Sequence, residues 1–254
     1  MVDPISVVDL FAGPGGLGEG FSAFRNRSHD RAFRIRLSVE KDRNAHQTLE
    51  LRSFFRQFED GTVPDEYYRH IQNPTEFTRG QLFSQFQDEA DTATRDAWNA
   101  TLGETPEDLI DERLKQALRG AKLWALIGGP PCQAFSLVGR SRVGGIDAKD
   151  RRVYLYREYL RVLAKHAPPV FVMENVKGIL SAKVEGKPII DQILSDLEEP
   201  AAAISASKTS QPEYQIYSLV KPPQGGLLCP NQCFKPRISS LTNTRLIVLW
   251  KSAR

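Results

Sequence analysis

Cysteine is scarce in this chain: Cys132, Cys229 and Cys233 are the only three in 254 residues. Three cysteines in a chain of this length do not make a disulfide framework, so a reducing, intracellular compartment is the default expectation. The sequence also lacks an uninterrupted apolar run of transmembrane length, which excludes a spanning helix by pattern. Its opening, Met1-Val2-Asp3-Pro4, has no basic region followed by an apolar stretch, so no signal peptide is expected. There is no Gly-Lys-Ser/Thr, which argues against nucleoside triphosphate hydrolysis. Cys229 and Cys233 form a Cys-x-x-x-Cys, but the four histidines are scattered, so no metal site is expected. Strong charge of either sign is missing too. A net charge of +3 permits a polyanionic partner without arguing for one.

What is present is ordinary globular material, with 41% hydrophobic and 26% charged residues, enough to bury a core. The length fits one α/β domain, or one with a partial second. Charge is unevenly spread. Residues from Asp88 to Glu112 are acidic, whereas Arg140, Arg142, Lys149, Arg151, Arg152, Arg157 and Arg161 make a basic stretch. The plain reading of such runs is a solvated helix face.

Along the chain, "ISVVDLF" (5–11) is a short β-branched run ending in a glycine-rich turn, the pattern of a buried strand. A helix is expected to start near Leu17. "FRIRLSVE" (33–40) predicts a second strand ending on a carboxylate, and residues 43–58 have helical spacing. Strand, glycine loop, helix, strand, acidic residue, helix is the opening of a doubly wound sheet. Residues 60–120 interrupt it and read as a mostly helical insertion in which no third strand is legible. The alternation resumes with a strand at 122–127, an amphipathic helix at 151–166, a strand at 169–175, a helix at 187–199 and strands at 214–220 and 244–250. The expected class is α/β, a Rossmann-like, mostly parallel sheet with a helical insertion.

Three constellations carry chemistry. In Asp9-Leu-Phe-Ala-Gly-Pro-Gly-Gly-Leu-Gly, the glycines at 13, 15, 16 and 18 allow a tight strand-to-helix turn and close approach of a ligand to the backbone. Glu40 ends the next strand, where a carboxylate can accept both hydroxyls of an adenosine ribose. The loop departs from the dinucleotide pattern, and Asp9 would repel a pyrophosphate but suits a positive group. S-adenosylmethionine, a sulfonium with a ribose, fits that combination. Second, Gly128-Gly129-Pro130-Pro131 precede Cys132. The prolines fix an extended backbone that would present the thiol beyond the carboxyl end of a strand, where open α/β sheets bind ligands. The glycine-bounded basic loop that follows could close over a phosphate backbone. Third, Glu174-Asn175 end the next strand, and a carboxyl in a partly apolar pocket can hold and donate a proton.

Asp9-Leu-Phe-Ala-Gly-Pro-Gly-Gly, Gly129-Pro-Pro-Cys-Gln-Ala-Phe-Ser and Glu174-Asn-Val-Lys-Gly-Ile-Leu, in this order, resemble the DNA (cytosine-5) methyltransferases. The resemblance covers about residues 5–225. It implies a Rossmann-like methyltransferase fold, S-adenosyl-L-methionine as cofactor, and duplex DNA with a flipped cytosine as substrate. It further implies that the Cys132 thiolate adds to C6 of the base while Glu174 hydrogen-bonds or protonates N3. Phe11 would pack near the adenine, Gly13, Gly15, Gly16 and Leu17 would line the methionine part, and Glu40 would hold the ribose. Leu155 would be a further cofactor contact. Pro131, Ser136, Arg140 and Asn175 would contact or order the substrate. A prokaryotic, nucleoid-associated cytoplasmic protein of restriction-modification is the implied setting.

The resemblance stops before the C-terminus. A Gln-x-Arg-x-Arg motif, a target-recognition region and a last cofactor-side segment are not recognisable, and Arg245 is the one partial match to a motif arginine. Residues 226–254 are expected to be an atypical tail. Truncation is the reading taken, with a complementary subunit supplying target recognition as the other account. Two alternatives stay open on the sequence: an RNA cytosine-C5 methyltransferase, and a non-catalytic cofactor- or DNA-binding remnant.

Overall fold

A computed structural model describes residues 3–130, 155–175, 183–184, 187–204, 213–218 and 244–251. The chain divides into two compact units, Met1–Lys122 and Leu123–Arg254. Among the described residues no helix is long and apolar enough to cross a membrane.

The first unit is built on a parallel sheet. Strand β1 (Ile5–Leu10) pairs with β2 (Phe33–Glu40), running from Ile5 opposite Phe33 to Leu10 opposite Val39, with a register shift between Val7 and Val8. Val7, Val8, Leu10, Ile35, Leu37 and Val39 are all buried, as the near-continuous apolar runs of parallel strands require. Helix α1 (Gly16–Ala23) follows β1, and α2 (Arg43–Phe55) follows β2. Asp42 starts α2 by accepting the Ala45 N–H at 2.8 Å, a side-chain N-cap. The helix stops three residues short of the span its periodicity predicts, because the turn at its end is held by the Gln57 and Phe58 N–H groups donating to the Phe54 and Phe55 carbonyls.

Residues 60–120 are mostly helical, as predicted, with α3 (Asp65–Gln72), α4 (Arg79–Gln85), α5 (Gln87–Asp96) and α6 (Glu107–Ala117). They also contain a strand that the pattern does not show. Strand β3 (Ala97–Asn99) pairs parallel with β2, Glu40 lying opposite Asn99. Three residues are too few to display a period of two, and β3 follows α5 with no intervening turn signal. The segment packs a core against α2: Phe54 of α2 is buried together with Phe77, Leu82, Ala90 and Ala93, with Phe83 stacked on Phe54 at 5.0 Å between ring centroids. The buried Glu50 is satisfied by Arg79 at 2.6 Å and the Thr94 hydroxyl at 2.9 Å.

The second unit holds β4 (Trp124–Gly128), α7 (Leu155–His166), β5 (Val170–Asn175), β6 (Lys183–Val184), β7 (Lys187–Pro188), α8 (Ile189–Glu198), α9 (Pro200–Ile204), β8 (Glu213–Ser218) and β9 (Thr244–Lys251). Its parallel strands lie in the order β4-β5-β9-β8. β6 and β7 pair as a two-residue antiparallel ladder, so Lys187 and Pro188, read as the start of a helix, belong to a strand instead. Proline cannot donate to a ladder and tolerates such an edge position. Tyr159 of α7 is fully buried, and its hydroxyl lies 3.2 Å from the Leu126 carbonyl oxygen and 3.1 Å from that of Val172. One side chain thus ties the helix to both β4 and β5. The structure is therefore mixed α/β with parallel strands in each unit, in keeping with a Rossmann-like methyltransferase fold.

Candidate functional site

The first candidate site lies at the carboxyl ends of β1 and β2. Beyond Leu10 the chain turns through three left-handed residues, Phe11 (φ 57°), Gly13 (φ 56°) and Gly15 (φ 90°). For Phe11 this conformation costs roughly 1–2 kcal/mol, and such strain persists only where neighbours impose it. Here the Ala12 N–H donates to the Val39 carbonyl at 3.0 Å and the Gly15 N–H to the Ala12 carbonyl at 2.9 Å. Position 15 accepts only glycine, because a Cβ there would stand 2.8 Å from Leu49 Cδ1 as well as straining the backbone. Around Gly13 and Gly16 the situation is opposite: an added Cβ would meet no atom within 4 Å. The flank of the loop is therefore open, with Leu17 half-buried beside it.

Glu40 joins this loop to the end of β2. Its Oε2 accepts the Gly13 N–H at 2.8 Å, and its Oε1 accepts the Asp42 N–H at 2.7 Å. An ionised carboxylate offers about four acceptor positions. With two taken by backbone amides, two remain, the number a vicinal diol needs. Sequence reasoning pairs the loop with Glu40, and the structure brings the two into direct contact.

Asp9 behaves differently from the expectation that it would face a positively charged group. Its carboxylate is buried at 1% exposure, and neither oxygen has a hydrogen-bond partner among the described residues. It lies under α1: a Cβ added at Gly18 would be 3.1 Å from Asp9 Oδ2. Burial pushes its pKa up to about 7, against the lowering effects of Arg56 and of the nearby Gly18 amide, which falls short of hydrogen-bond geometry. A carboxyl so placed packs beneath the glycine turn and does not line the open flank.

The second candidate site lies in the other unit, at the carboxyl ends of β4 and β5. Gly128 stands opposite Met173 in the β4–β5 register, so Gly129 and Glu174 follow side by side. A Cβ on Gly129 would be 2.8 Å from Glu174 Oε2. The absence of a side chain at 129 is thus what makes room for this carboxylate. Glu174 is half-buried, and burial raises its pKa above the usual carboxylate range. Desolvation favours the neutral, proton-bearing form. Leu155 is the first residue of α7 and half-buried, and Asn175 is the last residue of β5. Pro131, Cys132, Ser136 and Arg140 lie outside the described residues, as do Cys229 and Cys233. Arg245 is in β9, opposite Tyr214 of β8.

Two side chains at these rims carry no sequence signal. Tyr159 locks β4 to β5, but its spacing marks it only as a helix core residue. Asn99 sits on the unread strand β3, and its Nδ2 donates to the carbonyls of Glu40 at 2.8 Å and Lys41 at 3.1 Å.

Residues 76–201 match the family model for C-5 cytosine-specific DNA methylases. The chain is 36% identical over 197 residues to the type II methyltransferase M.Bpa9945I of Bacillus paralicheniformis, an alignment covering 71% of this chain and 42% of that protein. It is 29% identical over 194 residues to the type II methyltransferase M.AquIA of Picosynechococcus sp., covering 76% and 56% of the two chains. A shorter match, 42% identical over 71 residues, links it to the type II methyltransferase M.DdeI of Desulfomicrobium norvegicum, with 28% of this chain and 16% of that one covered. The chain thus spans between 16% and 56% of these relatives' lengths.

Proposed function

We propose that this chain, which belongs to the C-5 cytosine-specific DNA methylase family, methylates C5 of cytosine in duplex DNA using S-adenosyl-L-methionine. The observation that carries the reading is the seat of Glu174 against Gly129, three residues before the one cysteine in a Pro-Pro-Cys-Gln setting. A half-buried carboxyl with a raised pKa is suited to holding a proton at N3 of a cytosine. In the proposed sequence the base is taken out of the stack, since its ring edge is inaccessible in the duplex. The Cys132 thiol gives up its proton and its sulfur bonds to C6. Glu174 hydrogen-bonds or protonates N3 as electron density moves there, and C5 becomes nucleophilic. After methylation the C5 proton is lost, the Cys132–C6 bond breaks, and N3 returns its proton to Glu174.

The first unit fits the cofactor. Glu40 would take the ribose hydroxyls with its two unused acceptor positions, and the open flank at Gly13 and Gly16 leaves room for the remainder, with Phe11 and Leu17 beside it. S-adenosyl-L-methionine supplies the methyl group when bound. Asn175 and Pro131 would order the substrate around Cys132, Ser136 and Arg140 would contact the nucleic acid, and Leu155 would add a cofactor contact. Residues 5–225 would form the catalytic domain.

Incubation with duplex DNA and methyl-labelled S-adenosylmethionine, followed by digestion to nucleosides, tests the reading. Label in 5-methyl-2′-deoxycytidine, strongly reduced with Glu174→Gln, is expected. Label in N4-methylcytosine or N6-methyladenine would overturn it, as would methylation of RNA in preference to DNA.

A further inference from the structure

The segment 60–120, read from the sequence as an insertion, contributes a strand beside β2, and its last residue touches the main chain that carries Glu40. Asn99 is exposed, yet its Nδ2 donates to two main-chain carbonyls. Nδ2 donates to the Glu40 carbonyl at 2.8 Å and to the Lys41 carbonyl at 3.1 Å, and the next residue's N–H, that of Ala100, donates to the Glu40 carbonyl at 3.2 Å. Those two carbonyls lie where β2 ends and the chain turns towards α2. The same turn is held from its other side by the Glu40 side chain, through Gly13 and Asp42.

We infer that Asn99 is a positioning residue for Glu40: its primary amide clamps the Glu40–Lys41 carbonyls and so fixes where the Glu40 carboxylate presents its two unused acceptor positions. The chemistry is specific to a primary amide. An aspartate would face two carbonyl oxygens with oxygens, and an alanine would leave the Lys41 carbonyl without this donor and the Glu40 carbonyl with the Ala100 N–H alone. Glutamine has the same head on a longer stem that shifts it along the strand. Because a backbone hinge one bond from the Glu40 Cα turns a small rotation into a larger displacement at the carboxylate, the clamp acts on ligand geometry more than on stability. A side-chain hydrogen bond of this kind contributes about 1 kcal/mol, so its loss at the ribose is worth about fivefold in affinity.

The inference rests on reading Glu40 as the ribose carboxylate, and the test separates the two. Isothermal titration calorimetry is run with S-adenosylhomocysteine and with its 2′-deoxyribose analogue on wild type, Asn99→Ala, Asn99→Asp and Glu40→Gln, with a melting curve for each. Wild type is expected to prefer the ribose form. In Asn99→Ala that preference should fall by about fivefold while the melting temperature stays near wild type, and Asn99→Asp should lose at least as much. A merely structural role would weaken both ligands equally and leave the preference intact, which would overturn the inference. Unchanged binding in Asn99→Ala with a lost preference in Glu40→Gln would also overturn it, leaving the Glu40 reading standing. No change of preference in Glu40→Gln would remove the ribose reading, and the inference with it.

Discussion

Gly129→Ala separates stability from function at the β4–β5 rim. Gly129 lies outside the left-handed region, so alanine fits its backbone, and among the described residues the close contact of the new Cβ is Glu174 Oε2 at 2.8 Å. Restoring an ordinary separation of about 3.4 Å moves the carboxylate by roughly 0.6 Å. The clashing atom is the far end of a flexible side chain, so the fold can absorb the change by a rotamer adjustment of about 0.5–1.5 kcal/mol. Chemistry has less tolerance: a catalytic group displaced by a fraction of an ångström to an ångström costs on the order of 10–100-fold in rate. Gly129→Ala should therefore keep a melting temperature within a few degrees of wild type while single-turnover methylation slows by about one to two orders of magnitude. Glu174→Gln sets the floor. Wild-type turnover in a folded Gly129→Ala protein would refute the argument that the missing side chain exists to seat this carboxylate.

Two further substitutions test the scaffold. Asp9, with its pKa raised from 3.8 to about 7, binds a proton in the folded state across a window in which the unfolded chain does not. Its contribution to stability is therefore present below about pH 4 and is lost as pH rises towards 7. Denaturant titrations of wild type and Asp9→Asn at pH 5 and pH 8 should show the variant gaining on wild type between the two pH values by up to about 2.7 kcal/mol; a pH-independent difference would contradict it. The difference between the two proteins also removes the background from Asp96, whose pKa burial raises to about 6. Tyr159→Phe leaves the Leu126 and Val172 carbonyls without their shared donor, and should cost about 1–2 kcal/mol in urea unfolding. A cost below about 0.3 kcal/mol would show that the hydroxyl does not join the strands.

Much of the scaffold is legible in the residues because buried parallel strands write themselves as apolar runs. β2 runs over the predicted residues, and β1, β4, β5, β8 and β9 depart from their predicted spans by a residue or two. The glycine loop and Glu40 are also readable as a pair, since a turn and a carboxylate at successive strand ends leave a spacing. What escapes is set by short range or by tertiary contact. β3 is three residues long and β6 and β7 two each, below the length at which alternation can be seen. Asn99 matters through carbonyls of residues nearly sixty positions away, which no local pattern encodes. Gly129 reads as part of a stiff lead to Cys132, and only the structure gives the reason for it: the carboxylate of Glu174 occupies the space its Cβ would take. Asp9 reads as a partner for a cation, yet its 1% exposure puts it beneath α1.

Covalent capture tests the central claim most directly. The protein is incubated with S-adenosylmethionine and duplex DNA carrying 5-fluorocytosine, whose fluorine cannot leave C5 as a proton does, so the Cys132–C6 bond cannot be released after methylation. A denaturation-resistant protein–DNA adduct is predicted for wild type, absent in Cys132→Ser and slowed in Glu174→Gln. An adduct that persists in Cys132→Ser would contradict the account, and so would methylation of cytosine C5 without any trapped species.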